Sequence, residues 1–245
     1  MEFSPDATVL ATTVVGGVTL TLNLTIATTW LVMALAVLGS IVLTRSVGLH
    51  RANAANPRSP TKGQVAVEVI VDLIEKQIVE ISGRKAGRFL PFVGTLFIFI
   101  ALSNLLLVVP GFTPPTASLS TTTALALAVL FAVPVYAVSE RGVGGYLASY
   151  VRPTPLMLPF NIIGEASRTL ALAIRLYGNV MSGSAIAIVL IGVAPLFLPV
   201  VMDGLGLITG MIQAYIFAIL AMVYIAAAVG PGDEKTKHSN QEPLK

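Results

Sequence analysis

Residues 155–194 read PLMLPFNIIGEASRTLALAIRLYGNVMSGSAIAIVLIGVA, one of the longest apolar stretches of the chain, and they carry Arg168 and Arg175 in their interior. A guanidinium keeps its proton at any ordinary pH, so it cannot enter a membrane in a neutral form. Placing one at membrane depth costs about 3 to 10 kcal/mol or more, and such residues usually mark an ion path. Arg175 is the harder one to explain, because the nearest acidic residues are Glu165, ten positions before it, and Asp203, 28 positions after it.

The composition is that of a polytopic membrane protein. Hydrophobic residues make up 55% of the chain and charged residues only 11%, whereas soluble domains contain about 25% charged residues. The sequence has no cysteine, which excludes disulfides and thiolate metal sites. It contains no GxxxxGK(S/T) phosphate loop and no HExxH or other metal-ligand spacing. We therefore expect no nucleotide site, no metal and no cofactor in this chain.

Hydrophobic patterning predicts an all-α integral membrane protein with five membrane-crossing helices and one in-plane amphipathic helix. The last two helices are long and form a hairpin. About 35 to 40 helical residues run beyond 50 Å, while about 20 cross a bilayer at right angles, so both helices must be tilted or bent. The single membrane domain, 1–245, divides into an outer segment (1–23), a first span (24–44), an amphipathic interfacial helix (64–82), a span pair (89–139), a tilted helical hairpin (155–229) and a cytoplasmic tail (230–245).

Three shorter features qualify this plan. Residues 8–21 are rich in Thr and Val around Gly16 and Gly17, which suits a two-residue turn between short strands or, alternatively, an interfacial segment. Residues 140–152 are predicted to be a charged loop. The polar residues of 64–81 recur every three or four positions, which indicates an amphipathic helix lying in the interface. The alternative for that helix is an ordinary soluble helix packed on partners.

The distribution of Lys and Arg predicts the orientation. Apart from Arg168 and Arg175, every Lys and Arg lies in 45–88, in 140–152 or after 230. Five spans that begin outside place all of these cations in the cytoplasm. We therefore expect a multi-pass protein of a bacterial plasma (inner) membrane, with the N-terminus outside and the C-terminus in the cytoplasm.

One face of the helix through Arg175 carries a polar stripe. The residues on that face, at alternating steps of four and three, are Asn161, Glu165, Arg168, Leu172, Arg175, Asn179 and Ser182. A polar stripe on a membrane helix indicates a wet groove or a protein interface. Glu165 and Arg168 are three residues apart and are predicted to form a supporting ion pair, so Arg168 is either structural or part of the path.

The last helix adds further polar residues. Gln213, with Thr209 one turn before it, is either a helix–helix hydrogen-bonding residue or, if it lies near Arg175, part of an ion path. Asp203 lies at the outer mouth of this helix, where it is either a cation entry point or a solvated loop acid.

Two runs of sequence resemble signatures of one family. Residues 167–179, SRTLALAIRLYGN, resemble the signature L-x-L-R-L-F/Y-G-N of subunit a of F-type ATP synthases, and residues 212–217, IQAYIF, resemble its second signature, L-Q-A-F/Y-I-F. Residues 60–64, 104–110 and 114–116 resemble earlier landmarks of that family. Residues 4–6 and 22–25 are similar to the N-type branch, which is often associated with sodium pumping.

The resemblance implies a stator ion-channel subunit with two half-channels for H⁺ or Na⁺. Its partners would be a rotor ring of small hairpin subunits, each with one membrane carboxylate, the peripheral stalk subunit b, the rest of the complex and membrane lipid, with no nucleic acid. Arg175 would face the ring and attract an empty carboxylate, an attraction of about 4 kcal/mol at about 4 Å in an effective dielectric near 20. Asn179 and Gln213 would lie beside Arg175.

The resemblance also implies an outer half-channel, for which the candidates are Asn104, Asp203, Thr209 and Ser184. Proton-driven relatives often carry a Glu nine residues after the arginine, paired with a His on the last helix. Those positions here are Ser184 and Gly206, so that acidic relay is absent or moved, with Asp203 as the replacement.

Two rival functions remain open at this point. A secondary transporter or channel with a self-contained intramembrane ion site would need Glu165 or Asp203 to meet Arg175 within the chain. A membrane assembly protein that does not transport would use the polar stripe only to hold helices together.

Overall fold

A computed structural model describes residues 9–15, 18–52, 62–109, 112–151, 156–191 and 198–230. That part of the chain contains two strands and six α-helices, joined in places by short 3-10 turns. The elements in order are β1 (Val9–Val15), β2 (Val18–Asn23), α1 (Leu24–Ala52), α2 (Lys62–Ser82), α3 (Leu90–Leu105), α4 (Leu119–Val151), α5 (Met157–Ile191) and α6 (Leu198–Val229).

The N-terminal strands correct the all-α prediction and confirm the hairpin alternative. β1 and β2 pair antiparallel, with Val15 opposite Val18, so the connection is two residues long. Its residues, Gly16 and Gly17, lie outside the described part of the chain. The physical reason for the strands is the Thr- and Val-rich sequence, since β-branched side chains favour a pleated backbone.

Four described helices are long and apolar enough to cross a membrane, by length and composition. Their apolar stretches are Leu24–Val42, Leu90–Val108, Leu119–Ala148 and Val200–Val229. α5 is not among the four, although it has 35 residues and is therefore about 52 Å long. Four of the five predicted spans thus have a matching helix, and α5 as the fifth stays a prediction.

Helix ends differ from the predicted ones in two places. α1 continues past the predicted end of the first span to Ala52. The loop predicted for 140–152 is wrong, because α4 runs through it to Val151 with one break at Gly142, where φ is 73° and ψ is 164°. That backbone conformation is essentially restricted to glycine. The glycine therefore separates two helical segments of α4, and the second segment lies against α5.

The central helix of the bundle is α6, which contacts α2, α3, α4 and α5. Its buried residues Phe217, Met222 and Ile225 belong to one continuous apolar core together with Leu172 and Leu176 of α5. The amphipathic helix is confirmed as α2, whose Ile74 and Ile78 complete the same core. Its in-plane placement stays a prediction.

Candidate functional site

Arg175 lies on an exposed face of α5. The ion pairs among the described residues are Lys76–Asp72, Arg84–Glu140 and Arg88–Glu140, and none includes Arg175. Its surroundings on that face are apolar, since the neighbouring helix positions Ala171, Ile174 and Gly178 are exposed as well. The described part of the chain therefore offers Arg175 no counter-charge.

Gln213 occupies a contrasting position on α6. Its side chain is only 7% exposed, and its Nε2 has no hydrogen-bond partner among the described residues. Leaving a buried amide donor unpaired costs about 1–3 kcal/mol. The described part of the chain therefore leaves this buried donor without an acceptor.

A small cavity of about 40 Å³ brings together three of the predicted site residues, Asn104, Asn179 and Asp203. We call it the Asp203 cavity. Gly183 of α5 and Gly206 of α6 also line it, and a Cβ added at Gly206 would already lie 3.4 Å from the side chain of Leu107. The cavity therefore exists because these two positions lack side chains, and its size admits one or a few water molecules.

Asn104 has a structural task as well as a place in this cavity. Its Nδ2 donates to the carbonyl oxygen of Gly210 at 3.0 Å, and its Oδ1 accepts from the hydroxyl of Thr116 at 3.3 Å. A Cβ at Gly210 would lie 2.8 Å from the Asn104 Cγ. Asn104, which is 2% exposed, therefore ties α3 to α6 and to the segment before α4.

Thr209 and Ser184 are the remaining candidates for the outer half-channel, and Thr209 does not line the Asp203 cavity. The hydroxyl of Thr209 donates back to its own helix, to the carbonyl oxygens of Leu205 at 3.0 Å and Gly206 at 3.1 Å. Thr209 therefore has no hydrogen bond to spare as a donor. Ser184 belongs to α5, but its side chain lies outside what the structure describes.

A larger cavity, of about 310 Å³, lies between α4, α5 and α6 at the other end of the hairpin. We call it the Glu165 cavity. Its polar lining residues are Tyr146, Tyr150, Asn161, Glu165, Arg168, Thr169 and Tyr224. The tyrosines were missed by sequence reasoning, because Tyr146 and Tyr150 were assigned to a loop. As helical residues four apart they share one face, and that spacing was the available signal.

The predicted ion pair between Glu165 and Arg168 is wrong. The carboxylate of Glu165 accepts a hydrogen bond from the hydroxyl of Tyr150 on α4. The guanidinium of Arg168 lies over the ring of Tyr224 on α6, 5.7 Å from its centroid. Because α5 lies between two helices, these neighbouring side chains reach to different partners.

Arg175 and Gln213 lie between the two cavities and line neither. Along α5, Glu165 is about 15 Å before Arg175 and Asn179 is about 6 Å after it, at 1.5 Å per residue. Along α6 the order is reversed: the Asp203 cavity lies before Gln213 and the Glu165 cavity after it. The two helices are therefore antiparallel, with one polar cavity near each end.

Comparison with known proteins identifies the family. The family model described as ATP synthase A chain matches residues 11–226. ATP synthase subunit a 2 of Acaryochloris marina is 60% identical over 84% of this chain and 86% of its own length. ATP synthase subunit a 1 of Chlorobium luteolum is 56% identical over 84% and 90%, and ATP synthase subunit a of Albidiferax ferrireducens is 53% identical over 85% and 87%. With its four apolar helices, the chain is a multi-pass membrane protein that belongs to the ATP synthase A chain family, the subunit a family of F-type ATP synthases.

Proposed function

We propose that this chain is the stator ion-channel subunit of a rotary ATP synthase, and that its two cavities are two half-channels for H⁺ or Na⁺. The observation that carries the proposal is their arrangement: the Glu165 cavity and the Asp203 cavity lie at opposite ends of the α5–α6 hairpin, and Arg175 lies between them. The two cavities share no lining residue, so we expect an ion to pass from one to the other by way of a partner outside this chain. A rotor ring that carries the ion from one cavity to the other supplies that step.

Arg175 separates the two paths by its charge. The guanidinium repels a cation that moves directly between the cavities, and it attracts a ring carboxylate that has released its ion. The attraction of about 4 kcal/mol expected near 4 Å favours release and still allows the ring to move on. The exposed, apolar face around Arg175 suits contact with an apolar ring helix.

Gln213 supports this contact from α6. Its Nε2 is buried as well as unpaired, so a rotation of the side chain would bring it to the same carboxylate or to the water around it. Either hydrogen bond would recover the cost of a buried, unsatisfied amide. Asn179, one turn beyond Arg175, lines the path toward the Asp203 cavity.

Asp203 takes the place of the acidic relay that proton-driven relatives carry. The glycines at 183 and 206 leave space in the Asp203 cavity, where that relay would lie. A short water-filled path that ends at an exposed carboxylate passes either H⁺ or Na⁺, and the ring determines which one. The resemblance to the N-type branch favours Na⁺.

The orientation proposed for the chain places the Asp203 cavity outside and the Glu165 cavity on the cytoplasmic side of a bacterial plasma membrane. This follows from the positions of the loop cations. The rotor ring and the peripheral stalk subunit b are the proposed direct partners. The transporter alternative is disfavoured, because Glu165 bonds to Tyr150 and Asp203 lines the opposite cavity, so neither is the partner of Arg175.

ATP-driven ion uptake into vesicles that hold the whole complex tests the proposal. We expect Arg175→Ala to abolish uptake while the soluble sector still hydrolyses ATP, and Arg175→Lys to do the same because it lacks the planar fork. Lys76→Ala is the control, since the exposed side chain of Lys76 pairs with Asp72 of its own helix and lines neither cavity. Uptake that survives in Arg175→Ala would show that Arg175 is structural, and comparison with and without sodium identifies the ion.

A further inference from the structure

We propose that Tyr150 is a positioning residue for Glu165, and that it keeps this carboxylate available to a monovalent cation in the Glu165 cavity by holding it apart from Arg168. The inference rests on the proposed function and deepens it. It assigns the cation-binding group of the larger cavity to Glu165, and it assigns the control of that group to the end of α4.

The segment that carries Tyr150 begins at the break in α4. We call residues 143–151 the tyrosine arm. Just before the break, Glu140 accepts hydrogen bonds from Arg84 and Arg88, and Arg141 Nε donates to the carbonyl oxygen of Val229 at 2.6 Å. These contacts fix the origin of the arm relative to α3 and α6.

Beyond the break, the arm is attached to the cavity through its tyrosines. Val143 and Leu147 are 60% and 57% exposed, whereas the hydroxyls of Tyr146 and Tyr150 lie 2.7 Å apart. Tyr150 then donates to the Glu165 carboxylate, and Asn161 Nδ2 donates to the Tyr150 carbonyl oxygen at 2.9 Å. Two hydrogen bonds thus join the arm to one turn of α5, one through the side chain of Tyr150 and one through its backbone carbonyl.

The protonation of Tyr150 suits it to this task. Burial, and then the hydrogen bond to Glu165, raise the pKa of the Tyr150 phenol well above its ordinary value. The hydroxyl therefore remains a donor throughout the physiological pH range. A persistent donor occupies one acceptor site of the Glu165 carboxylate and leaves its remaining lone pairs for a cation.

Arg168 shows what Tyr150 prevents. Residues three apart on a helix are neighbours and form ion pairs when nothing competes. In the structure Glu165 and Arg168 do not pair. Glu165 accepts a hydrogen bond from Tyr150 of α4, and Arg168 lies over the ring of Tyr224 of α6. A carboxylate paired with its own arginine would offer a passing cation little attraction, so the division keeps the cavity attractive to cations.

The test is ATP-driven uptake by the whole complex in vesicles, at a series of ion concentrations. We expect Tyr150→Phe to raise the ion concentration for half-maximal uptake about tenfold, since a charge-assisted hydrogen bond contributes about 1.5 kcal/mol or more. Tyr150→Phe combined with Arg168→Gln should recover most of that loss, because the competing ion pair can no longer form. Tyr136→Phe is the matched control, as Tyr136 lies outside both cavities, and should behave as wild type.

The outcomes separate this inference from the proposed function. If Arg175→Ala abolishes uptake but Tyr150→Phe behaves as wild type, the proposed function stands and the role of Tyr150 is refuted. If the double variant is as impaired as Tyr150→Phe alone, Tyr150 is structural and not a positioning residue. Glu165→Gln reports on the same group even if Tyr150→Phe fails to assemble: we expect at least a tenfold effect, and wild-type uptake overturns the inference.

Discussion

The two cavities along the α5–α6 hairpin are built by opposite means. The Glu165 cavity, about 310 Å³ in volume, is framed by large polar side chains from three helices that bond to one another. The Asp203 cavity, about 40 Å³, exists because Gly183 and Gly206 carry no side chain. The comparison indicates that ion passage through the Glu165 cavity depends on positioned polar groups. Ion passage through the Asp203 cavity depends on the space that the two glycines leave.

The largest expected effect comes from filling the two cavities with the same side chain. A Cβ would meet no atom within 4 Å at either Gly183 or Gly164, which lines the Glu165 cavity. Steric overlap of about 1–3 kcal/mol corresponds to passage about 10- to 100-fold slower, and we expect Gly183→Leu to show it in ATP-driven uptake. Gly164→Leu has room in the larger cavity and should slow uptake about twofold or less. If Gly183→Leu and Gly164→Leu slow uptake equally, the Asp203 cavity does not depend on empty space more than the Glu165 cavity does.

The next effect concerns the packing beside the Asp203 cavity. Asn104→Ala leaves the carbonyl of Gly210 without its buried donor and should lower the free energy of unfolding by about 1–3 kcal/mol. Denaturant-induced unfolding of the purified chain in detergent measures it. Thr95→Ala, on the same helix, is the control, because the exposed hydroxyl of Thr95 bonds only to its own helix. A loss for Asn104→Ala no larger than that of the control would mean that Asn104 does not tie α3 to α6.

The smallest effect is expected at the exposed carboxylate of the Asp203 cavity. Interactions of exposed charges contribute about 0.2–1 kcal/mol, so Asp203→Asn should slow uptake by about two- to fivefold. Because exposed charges are screened by salt, the difference from wild type should shrink as ionic strength rises. Glu165→Gln, measured alongside, should keep its effect at high salt, since Glu165 is held within its cavity. An Asp203→Asn defect that is large and independent of salt would place Asp203 in a dry, direct path.

Much of this architecture follows from the sequence, and the exceptions have physical causes. Apolar length and periodicity predicted α2 and the α5–α6 hairpin, whereas the outward-facing position of Arg175 was implied by the family resemblance. The polar stripe predicted that Asn161, Glu165 and Arg168 share one face, but spacing alone favoured a local ion pair. The real partners, Tyr150 and Tyr224, come from other helices, and only tertiary packing brings them together. The course of α4 beyond Ser139 was missed because glycine and charge usually signal a loop, whereas here Gly142 forms a kink that is followed by a second helical segment.

Side-specific labelling of single cysteines tests the central claim most directly, since the chain has no cysteine of its own. Gly164→Cys and Gly183→Cys place a thiol in the Glu165 cavity and in the Asp203 cavity, where a Cβ meets no atom within 4 Å. In vesicles that hold the whole complex, a membrane-impermeant maleimide should reach Gly164→Cys only from the cytoplasmic face and Gly183→Cys only from the outer face. Labelling of both thiols from one face, or of either from both faces, would contradict two half-channels separated by Arg175.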